Sequence, residues 1–317
     1  MARGSDGESV LRKHLRILEA FDALRPFLTL TEIAQTAGLA GSTTHRLVAE
    51  LEREGLLERL PDRSYRLGVR LWEFASRTPG ALGLREVARP WMNAVHARIA
   101  QHTQLGVLGG FDVLFIERMS TRGAVVNATL IGGRIPLPLS SSGLVLLAHA
   151  DEALVDRVIE RGWPHPTRHS LGDGEQLRDR LRRARADGFV VLDGHIYEES
   201  RGIAVPVFGP QATVYAALGV VVSNSRDSPS AAIETLVVAA AGITRALTEA
   251  YVTGTAAAPP SRYDVGPLVS TSAASVEYFA TRGRGLDGSV PGDPSGRVPD
   301  PAEQPTQRPR ASRTSSP

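Results

Sequence analysis

Residues 28–60 read LTLTEIAQTAGLAGSTTHRLVAELEREGLLERL, and this stretch limits the fold more than any other in the chain. Two short runs with helical apolar spacing flank Gly38, and the second opens on Ser, Thr, His and Arg. A glycine directly after a helical run ends it by admitting a left-handed residue. The spacing therefore predicts a helix capped by Thr31 and running through Ala37, then a second helix from near Ser42 to Glu54 with Gly55 as its stop. Leu47, Val48 and Leu51 fall on the inward face. Upstream, Leu11, Leu15, Leu18, Phe21 and Leu24 form a stripe that predicts a helix over 10–25, stopped by Pro26. Downstream, residues 57–60 and 64–67 alternate on either side of PDR and predict a hairpin. Helix, helix-turn-helix and two-stranded wing in that order make a winged helix-turn-helix.

Such a motif presents the N-terminal end of its second helix to the DNA major groove. That end needs small polar groups and a cation, and Ser42, Thr43, His45 and Arg46 supply them. Arg46 is suited to a bidentate contact with guanine, and Arg59, Arg63 and Arg66 on the hairpin are spaced for flanking phosphates. The competing reading is a solvated helix face in an ordinary helical domain. The agreement of helix, turn, helix and wing disfavours it. The formal net charge is only +2, and acidic and basic residues nearly balance over 1–80, so any DNA-facing charge is local.

A chain of 317 residues, 42% of them hydrophobic, is long enough for two domains. Residues 69–76 predict a linker helix, and TPGALG at 78–83 a boundary. Beyond it the periodicity predicts a helix over 84–101, kinked at Pro90, and strands over 104–108, 113–118 and 125–131. Helices are expected over 143–149, 151–160 and 175–187, and strands over 189–192, 203–207 and 215–222. A last helix begins with Ser228 as cap and Pro229 in its first turn, and ends near Tyr251. Strands and helices mix without strict alternation, so the class is α+β. The expected organisation is a flexible N-terminus over 1–9, a DNA-binding domain with its linker helix over 10–77, a second domain over 84–252, and a tail over 253–317. Ten of the 21 prolines fall in that tail, and with its Gly and Ser content it reads as disordered. Met1–Ser9 lacks the apolar core of a signal peptide, and the apolar runs read as too short to span a bilayer. The absence of cysteine excludes disulfides, a thiol nucleophile and thiolate metal sites, and suits a reducing cytoplasm.

These residues carry a resemblance. LTLTEIAQTAGLAGSTTHRLVAELEREGLLER…YRLG resembles the DNA-binding half of the IclR family of bacterial transcription regulators. LREVARPWMNAVHARIAQHT, GGRIPLPLSSSGLVLLAHA and RGIAVPVFGP…VYAALGVVV are similar, in order and spacing, to the effector-binding half. The likeness covers about 10–250. It implies a winged helix-turn-helix joined to a GAF-like small-molecule domain, and a homodimer or dimer of dimers on double-stranded DNA at a pseudo-palindromic operator. The family's usual cation just before the recognition helix is Gly41 here.

In IPLPLSSSGLVLLA, three serines and a glycine precede an apolar helix, a pattern that suits either a carboxylate site or a plain helix cap. The resemblance favours the former and implies an effector pocket containing Ser140, Ser141, Ser142, Gly143, His195, Gly202, Gly219 and Val221. The family's matching strand carries alternating serines where this chain has Gly219 and Val221, and GHIYEESRGIAVP is short and includes His195 and Tyr197. A roomier, less polar pocket follows, better suited to a larger or aromatic acid than to one as small as glyoxylate.

Enzymatic signals are weak. SSSG has no nearby Lys, Glu198 and Glu199 are adjacent in a loop, the eight histidines form no metal pattern, and there is no phosphate loop. No cofactor, metal or membrane partner is expected. The reading is a cytoplasmic, ligand-responsive repressor. Its rivals are an activator of the same fold and an enzyme using the helix-turn-helix as a protein-contact module.

Overall fold

The structure, a computed structural model, describes residues 8–22, 24–76, 81–209, 212–225 and 227–252. The expected tail, most of the expected flexible N-terminus and part of the expected break at 78–83 lie outside them.

Three helices, α1 (Val10–Leu18), α2 (Leu30–Ala37) and α3 (Gly41–Arg53), pack with a wing of β1 (Leu57–Arg59) and β2 (Tyr65–Leu67) around Ile17, Leu28, Ile33, Leu47, Leu51 and Leu57. Burying each such side chain contributes about 1.5–3 kcal/mol. The helix expected over 10–25 stops at Leu18. Asp22 Oδ1 accepts the amides of Leu24 and Arg25, both at 2.8 Å, and this side-chain turn replaces further helical bonds. Of the expected stripe, Phe21 joins the core and Leu18 packs against it. Ile17, Ala20 and Phe21 are buried, while Leu11, Leu15 and Leu24 are exposed.

The cap of α2 is Thr29, not Thr31. Thr29 and Glu32 form a reciprocal capping box, which ties up two amides that a helix start leaves open. Gly38 ends α2 at φ 61°. The hairpin turn is the expected PDR: the Leu60 amide donates to Ser64 O at 2.8 Å and closes it, with Arg63 at φ 67°. Leu28 exchanges two backbone bonds with Tyr65 and so secures the wing to the helices.

After α4 (Val69–Ser76), the long α5 (Ala81–Ile99) continues through Pro90. A six-stranded antiparallel sheet follows in the order β5-β4-β3-β8-β7-β6, from β3 (His102–Gly109), β4 (Asp112–Met119), β5 (Arg134–Pro136), β6 (Val190–Asp193), β7 (Ser200–Phe208) and β8 (Val214–Ser223). On one face α5 and α9 (Ser230–Val252) cover Leu105, Ile203, Val205, Leu218 and Val220. On the other lie α6 (Ser141–Ala148), α7 (Glu152–Arg161) and α8 (Gly174–Asp187), around Val113, Phe115, Ala204 and Ala217. This is the α+β sandwich expected.

Two expectations fail here. Residues 125–131 form no strand; their polar side chains bind β3 instead of extending the ladder, and the edge position goes to β5, which the sequence reading missed. The view that every apolar run is too short to cross a bilayer also fails by length, because Ser230–Glu249 has a mean hydropathy of 1.4. In the fold, Leu236, Ala239, Ala240, Ile243 and Leu247 of this stretch are buried against α5 and the sheet.

Candidate effector cavity and nucleic-acid interface

Helix α3 begins at Gly41 after Ala40, which makes no side-chain cap, so its first amides are left for another acceptor. Ser42, His45 and Arg46 are exposed and Thr43 is half-buried, while Thr44 turns inward and its hydroxyl donates to Ala40 O at 3.1 Å. Leu47, Val48 and Leu51 anchor the opposite face. Arg46 is not a free cation. It pairs with Glu50 at 2.6 Å, and the other oxygen of Glu50 meets His14 Nε2 at 3.0 Å. Arg59, Arg63 and Arg66 are exposed on the wing; Arg66 pairs with Glu58 at 2.8 Å, and Arg59 lies over the Tyr65 ring. Gly41 stands at the helix start with nothing within 4 Å of a Cβ position.

A second site forms where the start of α6 meets the sheet. Leu192, Gly202, Val221 and His102 are register partners across β6, β7, β8 and β3, so they share one row; Gln104 of β3 lies opposite Gly219. A cavity of about 40 Å³ lies beside that row. It is lined by Gln104, Val126–Thr129, Ile135, Leu139, Ser140, Ser141, Leu192, His195–Tyr197, Ser200, Gly202 and Val221. A Cβ on Gly202 would stand 2.9 Å from Ser141 Oγ, so glycine there lets α6 approach β7.

All eight residues of α6 are buried. Ser140 caps the helix by accepting the Gly143 amide at 3.0 Å, which leaves the amides of Ser141 and Ser142 for another acceptor. The cap and the anion site are therefore compatible. Of the expected pocket residues, Ser140, Ser141, His195, Gly202 and Val221 line the cavity. Ser142, Gly143 and Gly219 stand outside its lining. A Cβ on Gly143 would fall 2.1 Å from Leu137 O, and one on Gly219 would fall 2.9 Å from Ile203 O and 3.1 Å from Ser142 Oγ. These glycines serve close packing of the helix on its neighbours. Gln104, Asn127 and Thr129 were missed because 125–131 was read as strand. Gln104 Oε1 accepts from Thr129 Oγ1 at 2.8 Å and from Asn127 Nδ2 at 3.2 Å.

Two buried histidines flank this wall. His102 donates through Nε2 to Val125 O at 2.6 Å, so Nδ1 is an acceptor, met by Ser120 Oγ at 2.9 Å and Arg118 at 3.3 Å. Burial pushes its pKa down, and Arg118 and His96 lower it further. His195 is also held below its ordinary pKa, mainly by burial. Among the described residues no group of three His, Cys, Asp or Glu could hold a metal.

Both halves match known families. The model for "Bacterial transcriptional regulator IclR C-terminal" covers residues 78–245, and "IclR helix-turn-helix domain" covers 10–61. The chain is 32% identical to the HTH-type transcriptional regulator XynR of Escherichia coli K12, over 68% of this chain and 86% of that one. It is 27% identical to the Pca regulon regulatory protein of Pseudomonas putida, over 66% and 72%. A crystal structure of an IclR homologue from Microbacterium hydrocarbonoxydans, complexed with 4-hydroxybenzoate, superposes with a TM-score of 0.71 at 41% identity, covering 75% of this chain and 98% of that one.

Proposed function

The chain belongs to the IclR family of bacterial transcriptional regulators, with a DNA-binding helix-turn-helix and an effector domain, and from that premise we propose that it is a repressor released from its operator by an aromatic carboxylic acid. The observation that carries this reading is the start of α6. Ser140 and Ser141, at the start of α6, border a cavity whose other walls combine apolar Ile135, Leu139, Leu192, Ile196 and Val221 with polar Gln104, Asn127, Thr129 and His195. Helix-start amides favour an anion, and the apolar walls suit a ring. A homologue bound to 4-hydroxybenzoate supports the same class.

In this conformation the cavity has room for about three waters. An aromatic acid enters only if a wall moves, and this reading assigns the movement to the segment 124–130, which has no ladder bonds. The effector acts through its difference in affinity between DNA-competent and DNA-incompetent states.

The proposed organisation is a DNA-binding part over 10–77 and an effector part over 84–252, acting as a homodimer or dimer of dimers in the cytoplasm. Val10 and Leu11 of α1 and Val69 and Trp72 of α4 are more than half exposed. A second copy covering these apolar side chains supports that reading.

The test is calorimetry of the full chain with 4-hydroxybenzoate and with its carboxamide, alongside a gel shift on DNA from the protein's own promoter region. The acid should bind and release DNA, with the amide weaker by about tenfold or more. Equal binding of acid and amide would show that the serines are only a cap.

A further inference from the structure

We propose that His195 reads the ring substituent of the effector: an aromatic acid held by its carboxylate at the start of α6 donates a hydroxyl or amino hydrogen to His195 Nε2. The inference rests on the aromatic-acid reading of the cavity and adds which acids it accepts.

His195 lies just beyond β6, in the cavity wall, and is only 8% exposed. Its Nδ1 stands 3.1 Å from Asp193 O. A carbonyl only accepts, so Nδ1 carries the hydrogen and Nε2 of the neutral ring is a bare acceptor. That nitrogen is shielded from solvent and meets no partner among the described residues. A buried acceptor left unmet is costly, and such exceptions are uncommon in folded proteins.

The ring does not hold its place by that nitrogen. The main-chain oxygen of His195 accepts from Ser170 Oγ at 2.9 Å, which fixes the turn. The two amide-oxygen acceptors in the wall are already engaged: Gln104 Oε1 takes two hydrogens and Asn127 Oδ1 takes that of the Thr129 amide at 3.0 Å. The cavity therefore offers hydrogen-bond donors from α6 and an unfilled acceptor from the turn after β6. A ligand meeting both carries an anion at one end and a donor at the other. An aromatic acid with a hydroxyl or amino group remote from its carboxylate fits, and one with a halogen or ether there does not.

The experiment is calorimetry of the full chain at neutral pH with 4-hydroxybenzoate, 4-aminobenzoate and 4-fluorobenzoate. The first two should bind more than about tenfold tighter than the third, because a site built to bond a donor discriminates against the analogue lacking it. His195→Phe should bring 4-hydroxybenzoate to the level of 4-fluorobenzoate and leave the latter unchanged. His195→Gln, which restores an acceptor, should recover part of the preference. Should the Phe variant fail to fold, nitrogen NMR of the wild type decides the point: the Nε2 resonance shifts with 4-hydroxybenzoate and not with 4-fluorobenzoate. Equal affinities in the wild type, or equal weakening of both acids by His195→Phe, overturn the role of His195 and leave the aromatic-acid site standing. If none of the three acids binds, the aromatic-acid reading falls and this inference with it.

Discussion

Arg46 and Glu50 define a contest on the recognition helix. The carboxylate four residues away holds the guanidinium at 2.6 Å, so the proposed base contact requires Arg46 to exchange that partner. An exposed pair of this kind is worth only a few tenths of a kcal/mol, whereas a bidentate contact to guanine is worth about 1–3 kcal/mol of discrimination. DNA wins. Arg46→Ala should therefore cost about 1–3 kcal/mol of operator binding and relax one base pair per half-site, while Glu50→Gln should tighten binding by about twofold. Fluorescence anisotropy on operator and scrambled duplexes reads both, and an unchanged affinity in a folded Arg46→Ala protein would remove this residue from the interface. Gly219 carries a different lesson. The resemblance puts this glycine in the pocket, but its Cβ direction meets Ile203 O and Ser142 Oγ, so a larger residue would press the sheet away from α6.

Among elements, the segment 124–130 decides how the cavity behaves. It lacks ladder bonds and is held by side chains of β3 and of the residue before it: His102 to Val125 O, Gln104 to Asn127 and Thr129, and Gln101 Oε1 to the Val125 amide. The His102 contact is sensitive to acid. Its folded pKa lies below the ordinary 6.5, as does that of His195. The unfolded chain therefore binds protons first as pH falls. The stability associated with the neutral rings is complete above about pH 6.5 and is lost below it, towards the depressed folded values. Each ring contributes a slope of at most about 1.4 kcal/mol per pH unit in that window. Urea unfolding at stepped pH should show this loss. His102→Asn, which keeps a donor for Val125 O but does not titrate, should show a shallower one. An identical pH profile in the variant would remove His102 from the account.

At the scale of the whole molecule, the described fold ends in α9, whose inner side closes the sheet beside α5. The residues beyond it are rich in Pro, Gly and Ser and poor in side chains that could extend that core. A chain ending after Val252 should keep its thermal midpoint within about 2 °C and retain both operator binding and effector release. Differential scanning calorimetry and the same gel shift check this. A large drop in either would mean that residues 253–317 support the body.

What the sequence determined by itself was the part governed by near neighbours. Gly38 in a left-handed conformation, the helical spacing of Leu47, Val48 and Leu51, and the alternation on either side of the hairpin turn are local rules, and they were enough for the helix-turn-helix and its wing. Even the errors there were short-range ones, such as Thr31 for Thr29 and a helix carried past the Asp22 turn. The cavity was decided by tertiary structure. Its row of Leu192, Gly202, Val221 and His102 sets β3 beside β8, more than a hundred residues further along the chain, and its outer wall is a segment rich in β-branched residues that also suited a strand. Whether such a segment joins the ladder or binds through its side chains depends on which partners the sheet register presents. For 125–131 those partners were Gln104 and His102, more than twenty residues away in sequence.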